Sequence, residues 1–152
     1  MINVRGSVDI ARPIDEVFDY MTRLDELPRW LDGVREAKPL SPDPTAVGSR
    51  VCHTNEFMGQ TFESIFEVLE WRQNELTVFK VISGPLRGES TQRFEPIGAD
   101  ATRVTIEVLG DGTGPLRLGN FIAKRAAQRQ VDRSLANVKA FLEGGKNSRG
   151  GD

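Results

Sequence analysis

One feature constrains this chain more than any other. From Val47 to about Gly112, β-branched and aromatic residues alternate with charged ones, and a single long helical pattern follows. Period-two alternation marks strands with one dry face and one wet face. Five strands are predicted, near 47–57, 60–71, 75–83, 87–96 and 102–110. Met58-Gly59, Arg72-Gln73-Asn74, Gly84-Pro85-Leu86 and Gly98-Ala99-Asp100 separate them. Connections this short imply antiparallel neighbours. Several of the strands exceed the usual length of about 5–6 residues, and long strands twist into a curved sheet. Such a sheet needs something to curl around. The candidate is the C-terminal segment, where Lys124, Gln128, Val131, Leu135, Val138 and Leu142 follow the helical period. A helix over about 115–142 would be roughly 40 Å long and able to lie along the whole concave face.

Ahead of this run, Val4, Gly6, Val8 and Ile10 alternate with polar residues and predict a strand over 2–10. Pro13 suits a first helical turn, and Ile14, Val17, Phe18 and Met21 share one helical face. Leu24, Leu27 and Trp30 suggest a second short helix limited by Pro28 and ended at Gly33, followed by a short strand over 33–40. At 152 residues, 38% hydrophobic and 28% charged, the chain is expected to be one globular domain over 1–143. The glycine-rich residues 144–152 carry nothing that could pack and are expected to form a disordered tail. No apolar stretch reaches bilayer length, and the start lacks a secretory block, so a cytoplasmic location is expected. With 20 basic against 22 acidic residues, the overall charge gives no reason to expect nucleic acid.

The order β, α, α, six β, α, with Val8-Asp9-Ile10-Ala11-Arg12-Pro13-Ile14-Asp15-Glu16-Val17-Phe18 at the front, resembles the START-like or SRPBCC superfamily. Further marks are Trp30 with Gly33-Val34, Val47-Gly48-Ser49, Phe66-Glu67-Val68 and Thr102-Arg103-Val104-Thr105. Within the superfamily the chain looks most like the polyketide cyclase/dehydrase and lipid-transport group. The resemblance implies an α+β helix-grip fold, a curved antiparallel sheet of about seven strands around a long C-terminal helix. It also implies a hydrophobic cavity that serves lipid carriers, aromatase/cyclases, hormone receptors and chaperone activators alike. Fold alone does not choose among them.

Strand parity assigns the side chains expected to face the helix, since charged residues should face water. Glu63 and Glu67 outside place Phe62, Ser64, Phe66 and Val68 inside. Lys80 does the same for Thr77, Phe79, Val81 and Ser83. On the next strand Gly88, Ser90, Gln92 and Phe94 point in, and after it Val104, Ile106 and Val108. Val51, His53, Asn55 and Phe57 form the inward set of the 47–57 strand. Phe121, Lys124, Gln128 and Val131 are the helix's expected contributions, and Tyr20 is a phenolic donor beside the first helix's core stripe. The expected lining is apolar with a few polar groups, as in a small-molecule pocket.

His53 is the only histidine and the one candidate catalytic residue: its unperturbed pKa suits proton transfer, with Asn55 or Gln92 holding a carbonyl oxygen. Cys52 and His53 are strand neighbours pointing to opposite faces, and the chain has no other Cys or His, so no metal site, iron–sulfur cluster or other cofactor is expected. Gly110–Gly114 lacks the Gly-Lys-Ser/Thr of a phosphate loop, and no Gly-x-Ser-x-Gly elbow is present. Arg117, Lys124, Arg125, Arg129, Arg133 and Lys139 make the last helix basic, a solvated face or a transient contact with anionic lipid. Three functions stay open: a carrier or sensor of a lipid, polyketide or similar ligand, an aromatase/cyclase or dehydratase, and a protein-interaction role in chaperone stimulation or toxin action. Oligomeric state is not indicated.

Overall fold

The computed structural model describes residues 2–57, 59–112 and 120–150, with backbone alone at 57, 86, 111, 112, 120, 121 and 145–150. Strand β1 (Ile2–Ile10) alternates as expected, burying Ile2, Val4 and Ile10. Helix α1 (Ile14–Thr22) starts on Pro13, whose φ of −62° is preset by its ring and whose carbonyl accepts from the amides of Glu16 and Val17. Asp15 and Glu16 in the first turn complement the helix dipole, and Val17, Phe18, Tyr20 and Met21 are buried. The expected second helix divides into a 3₁₀ turn over Leu24–Glu26 and a short helix α2 (Leu27–Trp30). Pro28, which has no amide hydrogen to donate, sits in the first turn of α2.

Six strands follow: β2 (Val34–Pro39), β3 (Arg50–Phe57), β4 (Gln60–Arg72), β5 (Leu76–Ser83), β6 (Leu86–Gly98) and β7 (Ala101–Gly112). They form one sheet in the order β1-β7-β6-β5-β4-β3-β2, antiparallel throughout. β3 begins at Arg50 rather than 47. The Asp43 carboxylate accepts from the amide and hydroxyl of Thr45, Ser49 N–H donates to Ala46 carbonyl, and Gly48 at φ +90° turns the chain before pairing starts.

Helix α3 (Asn120–Gly150) has 31 residues, or about 45 Å of helix. The expected start over 115–119 lies outside the described residues. Its backbone stays helical to Gly150, past the predicted end near 142; no proline interrupts it. Val131, Ser134, Leu135, Val138 and Leu142 form its buried stripe. The helix packs chiefly on β1, then on β7 and α2, and not along the whole concave face. Gly6 on β1 is what admits it so closely: a Cβ there would meet Val131 Cγ1 at 2.9 Å and Leu135 Cδ1 at 3.1 Å.

The main core lies under this contact. Its buried members come from β1, α1, α2, β6, β7 and α3, with Phe18, Trp30, Val104 and Val138 almost fully enclosed. Each large apolar side chain so buried contributes about 1.5–3 kcal/mol. The other half of the sheet, β3 to β5, curves away from the helix. Extra residues in the β4–β5 pairing, Ile82 of β5 between the pairs Ile65–Ser83 and Phe66–Val81 and Leu69 of β4 between Val68–Phe79 and Glu70–Val78, sharpen that curvature.

Candidate functional site

With α3 seated over β1 and β7, the space above β3, β4 and β5 is left to the short helices and loops, which do not fill it. A cavity of about 250 Å³ results. One water requires only about 10–15 Å³ on a comparable measure, so this is room for a small molecule.

The sheet supplies most of the predicted wall. Val51, His53 and Asn55 line it from β3, and Phe62, Ser64 and Phe66 from β4. Phe79 and Val81 of β5, Ser90 and Gln92 of β6, and Ile106 and Val108 of β7 complete that side. Cross-strand register brings them together: His53 faces Ser64, Phe66 faces Val81, Phe79 faces Ser90 and Gln92 faces Ile106. Val131 reaches the cavity from α3.

Other predicted residues lie elsewhere. Phe94 and Val104 have the inward parity but no free space beside them. The Phe18 ring fills that end of the sheet, 4.8 Å from the Phe94 ring and 5.6 Å from the Trp71 ring, both edge-on. Tyr20 faces α3 instead and stacks on Phe141 at 4.6 Å and 11°. Burial, with the Glu26 carboxylate second, pushes its phenol up to about 12. Lys124 is exposed, and Gln128 turns to β1, donating to the Arg5 carbonyl at 3.0 Å. Ser83 is exposed beyond the extra residue Ile82 of β5. The side chains of Phe57 and Phe121 lie outside the described residues.

Several lining residues follow rules that parity alone does not apply. Leu69 is the extra residue of a bulge between the pairs Val68–Phe79 and Glu70–Val78, so the inner face passes from even to odd positions and Trp71 turns inward. On α3 the cavity face runs back from Val131 through Ala127 and Ala123 in steps of four. The stripe of Lys124 and Gln128 lies one position over. Met21, Leu24, Leu27 and Leu31 close the cavity from the short helices, with Pro44 and Thr45 from the 40–49 loop. The leucine spacing was visible in the sequence; the loop contact was not.

Side chains of α3 fix that lid of short elements. Ser134 Oγ accepts from the Asp32 amide at 2.9 Å, Gln130 Nε2 donates to the Asp32 carbonyl at 2.7 Å, and Asn137 Nδ2 donates to the Trp30 carbonyl at 3.1 Å. The Glu56 amide donates to the Gly33 carbonyl at 2.7 Å, tying the lid to β3.

Electrostatically the interior is neutral. The charged lining residues, Glu56, Arg87 and Glu89, are exposed, and Glu56 pairs with Arg35. His53 is buried with its ring 4.5 Å from that of Phe66, and burial brings its pKa down to about 4. At neutral pH it is an uncharged imidazole, a weaker base than a free histidine. Asn55 Nδ2 donates to Ser64 Oγ at 3.2 Å and Thr77 Oγ1 to Gln92 Oε1 at 3.2 Å. Cys52 lies on the opposite face from His53, its thiol pushed up by burial. No cluster of three or more His, Cys, Asp or Glu suited to a metal occurs among the described residues. Nor, among them, is any helix long and apolar enough to cross a membrane.

Comparison with known proteins agrees with this geometry. The family model described as polyketide cyclase / dehydrase and lipid transport matches residues 1–143. No curated protein matches the sequence. Among solved structures, a START superfamily protein from Mycobacterium smegmatis superposes with a TM-score of 0.82 at 16% identity, over 93% of this chain and 97% of that one. A protein from Thermus thermophilus gives 0.80 at 22% identity, over 94% and 98%. The di-domain ARO/CYC BexL, from a biosynthetic pathway, gives 0.75 at 17% identity, over 94% of this chain and 47% of that one. At these identities the superpositions establish the START, or helix-grip, fold.

Proposed function

Since the chain belongs to the polyketide cyclase / dehydrase and lipid transport family, we propose that it holds a hydrophobic small molecule between the β3–β6 wall and α3, as a carrier or sensor. The observation that supports this is the offset of α3 onto β1 and β7, which leaves a partly open, mainly apolar volume over the rest of the sheet. Burying the ligand's apolar surface there supplies the driving force, about 25 cal/mol per Å².

The cyclase reading requires a group that moves protons. His53, the one candidate the sequence offered, is a weak base at a pKa of about 4 and has no carboxylate partner among the described residues. Binding is therefore the better supported activity.

Ala127 faces the cavity from the middle of α3. Ala127→Phe should fill the volume at a helix-propensity cost of about 0.5 kcal/mol, too small to unfold α3. Binding of the uncharged dye Nile red to the wild type, seen as enhanced fluorescence, should be lost in Ala127→Phe with an unchanged far-UV CD spectrum. Equal dye binding by both proteins would refute the proposed location.

A further inference from the structure

Strand parity leaves one feature of the cavity wall unexplained. Thr54, Ile65, Lys80, Thr91 and Glu107 each sit between two lining residues, point outward and do not border the cavity. Arg87 and Glu89 alternate with Gly88 and Ser90, point outward by the same rule and are exposed, yet both border it. An outward residue reaches inner space only where the sheet beside it is open.

The pairing shows that opening. The β5–β6 ladder runs from Leu76–Arg93 to Lys80–Glu89 and stops there, although β5 continues along β4 to Ser83 and β6 begins along β7 at Leu86. Specific contacts draw the two strands apart. Ile82 is the extra residue that bends the end of β5. Beyond it Gly84 lies so tightly on β4 that a Cβ would meet Ser64 Oγ at 2.9 Å and the Glu63 carbonyl oxygen at 3.2 Å. Gly88 is pressed the other way, onto β7, where a Cβ would overlap the Leu109 carbonyl oxygen.

The other borders of the cavity are fastened. Ser134, Gln130 and Asn137 hold the lid of short elements, and the Glu56 amide holds Gly33. The 40–49 loop, which borders the cavity through Pro44 and Thr45, is pinned at both ends. The Leu40 amide donates to the Arg50 carbonyl at 2.8 Å, the Gly48 amide to the Val68 carbonyl at 2.8 Å, and the Val68 amide to the Ser49 carbonyl at 2.9 Å. Widening any of these borders breaks hydrogen bonds. Beyond Lys80–Glu89 the β5–β6 gap has no ladder bond to break.

Resting on the reading that the cavity holds a ligand, we infer that the ligand enters and leaves through the sheet itself, between Val81–Ser83 of β5 and Arg87–Glu89 of β6. Arg87 and Glu89 form the outer rim of this port. The rim sets how fast the ligand exchanges, and the inner wall sets how tightly it is held.

Glutathione attached as a mixed disulfide to Arg87→Cys, in a Cys52→Ser background, obstructs the rim and leaves the inner wall unchanged. Stopped-flow fluorescence of Nile red should show association and dissociation both slowed about fivefold or more relative to the reduced form of the same protein, at unchanged Kd. Dithiothreitol should restore both rates. Glu89→Cys, the second rim position, should behave alike, and the same adduct on Thr45→Cys should leave both rates unaltered. Rates indifferent to the adducts at 87 and 89, a raised Kd with association unaffected, or equal slowing from position 45 each overturn the inference and leave the carrier reading standing. If the wild type takes up no dye, the carrier reading falls first and this inference with it.

Discussion

Gly6 of β1 and Val131 of α3 approach so closely that a single added carbon would bring the two to 2.9 Å. This contact fixes the side of the sheet on which the helix rests, and so where the open volume lies. Gly6→Val should cost about 1–3 kcal/mol in urea denaturation, because the branched side chain must displace Val131 and Leu135 from a packed seam. A variant as stable as the wild type would show that the helix is free to lift and that the seam does not set its position.

Gly88 and Gly110 face each other across β6 and β7, and a Cβ on Gly110 would overlap the carbonyl oxygen of Arg87. The clash is with backbone, which cannot swing aside. Gly110→Ala should therefore destabilise by about 2 kcal/mol or more, with faster amide exchange along the Arg87–Leu109 part of the ladder. Gly144→Ala, where an added Cβ meets nothing within 4 Å, is the matched control and should not destabilise.

His53 makes stability depend on pH in a definite window. Its pKa is about 4 folded against 6.5 for the free group, so the unfolded chain takes up a proton first as pH falls. The stabilisation is complete above pH 6.5 and declines between 6.5 and 4, by about 2 kcal/mol at pH 5 and about 3 kcal/mol in all. Chemical denaturation at pH 7.5 and pH 5 measures the loss. His53→Leu should flatten the profile between these values. If both proteins lose the same amount, His53 is not the group responsible.

Trp71 lines the cavity while Trp30, the other tryptophan, is wholly enclosed in the core. Ligand entry should change the emission of Trp71 alone. Trp71→Phe should abolish the ligand-dependent change in tryptophan fluorescence, and Trp30→Phe should preserve it wherever that variant folds. A response retained in Trp71→Phe would place the ligand outside the cavity described here.

Much of this was readable from residue order because alternation and helical spacing report which face is dry. The seven strands, their antiparallel pairing and the β3–β6 wall residues His53, Asn55, Ser64, Phe79 and Gln92 follow from that rule. The rule fails where the backbone adds a residue, as at Leu69, which turned Trp71 inward. It is also silent about which inward space is already occupied. Phe94 and Val104 point the right way, but Phe18 arrives there from α1, a contact between residues distant in sequence. On α3 the period was correct and the rotation was off by one position, because Lys124 and Gln128 as well as Ala123 and Ala127 are compatible with a stripe through Val131. Only the tertiary seam at Gly6 chooses between them.

The offset helix also separates two burdens that many small proteins place on the same residues. Cohesion is concentrated around Phe18, Trp30, Val104 and Val138, whereas Val51, Phe62, Val81 and Ser90 border empty volume. Exchanges among the latter group alter what is admitted and leave the keystone contacts untouched. A lineage built on this architecture can reshape that volume by successive single replacements without passing through an unfolded intermediate sequence.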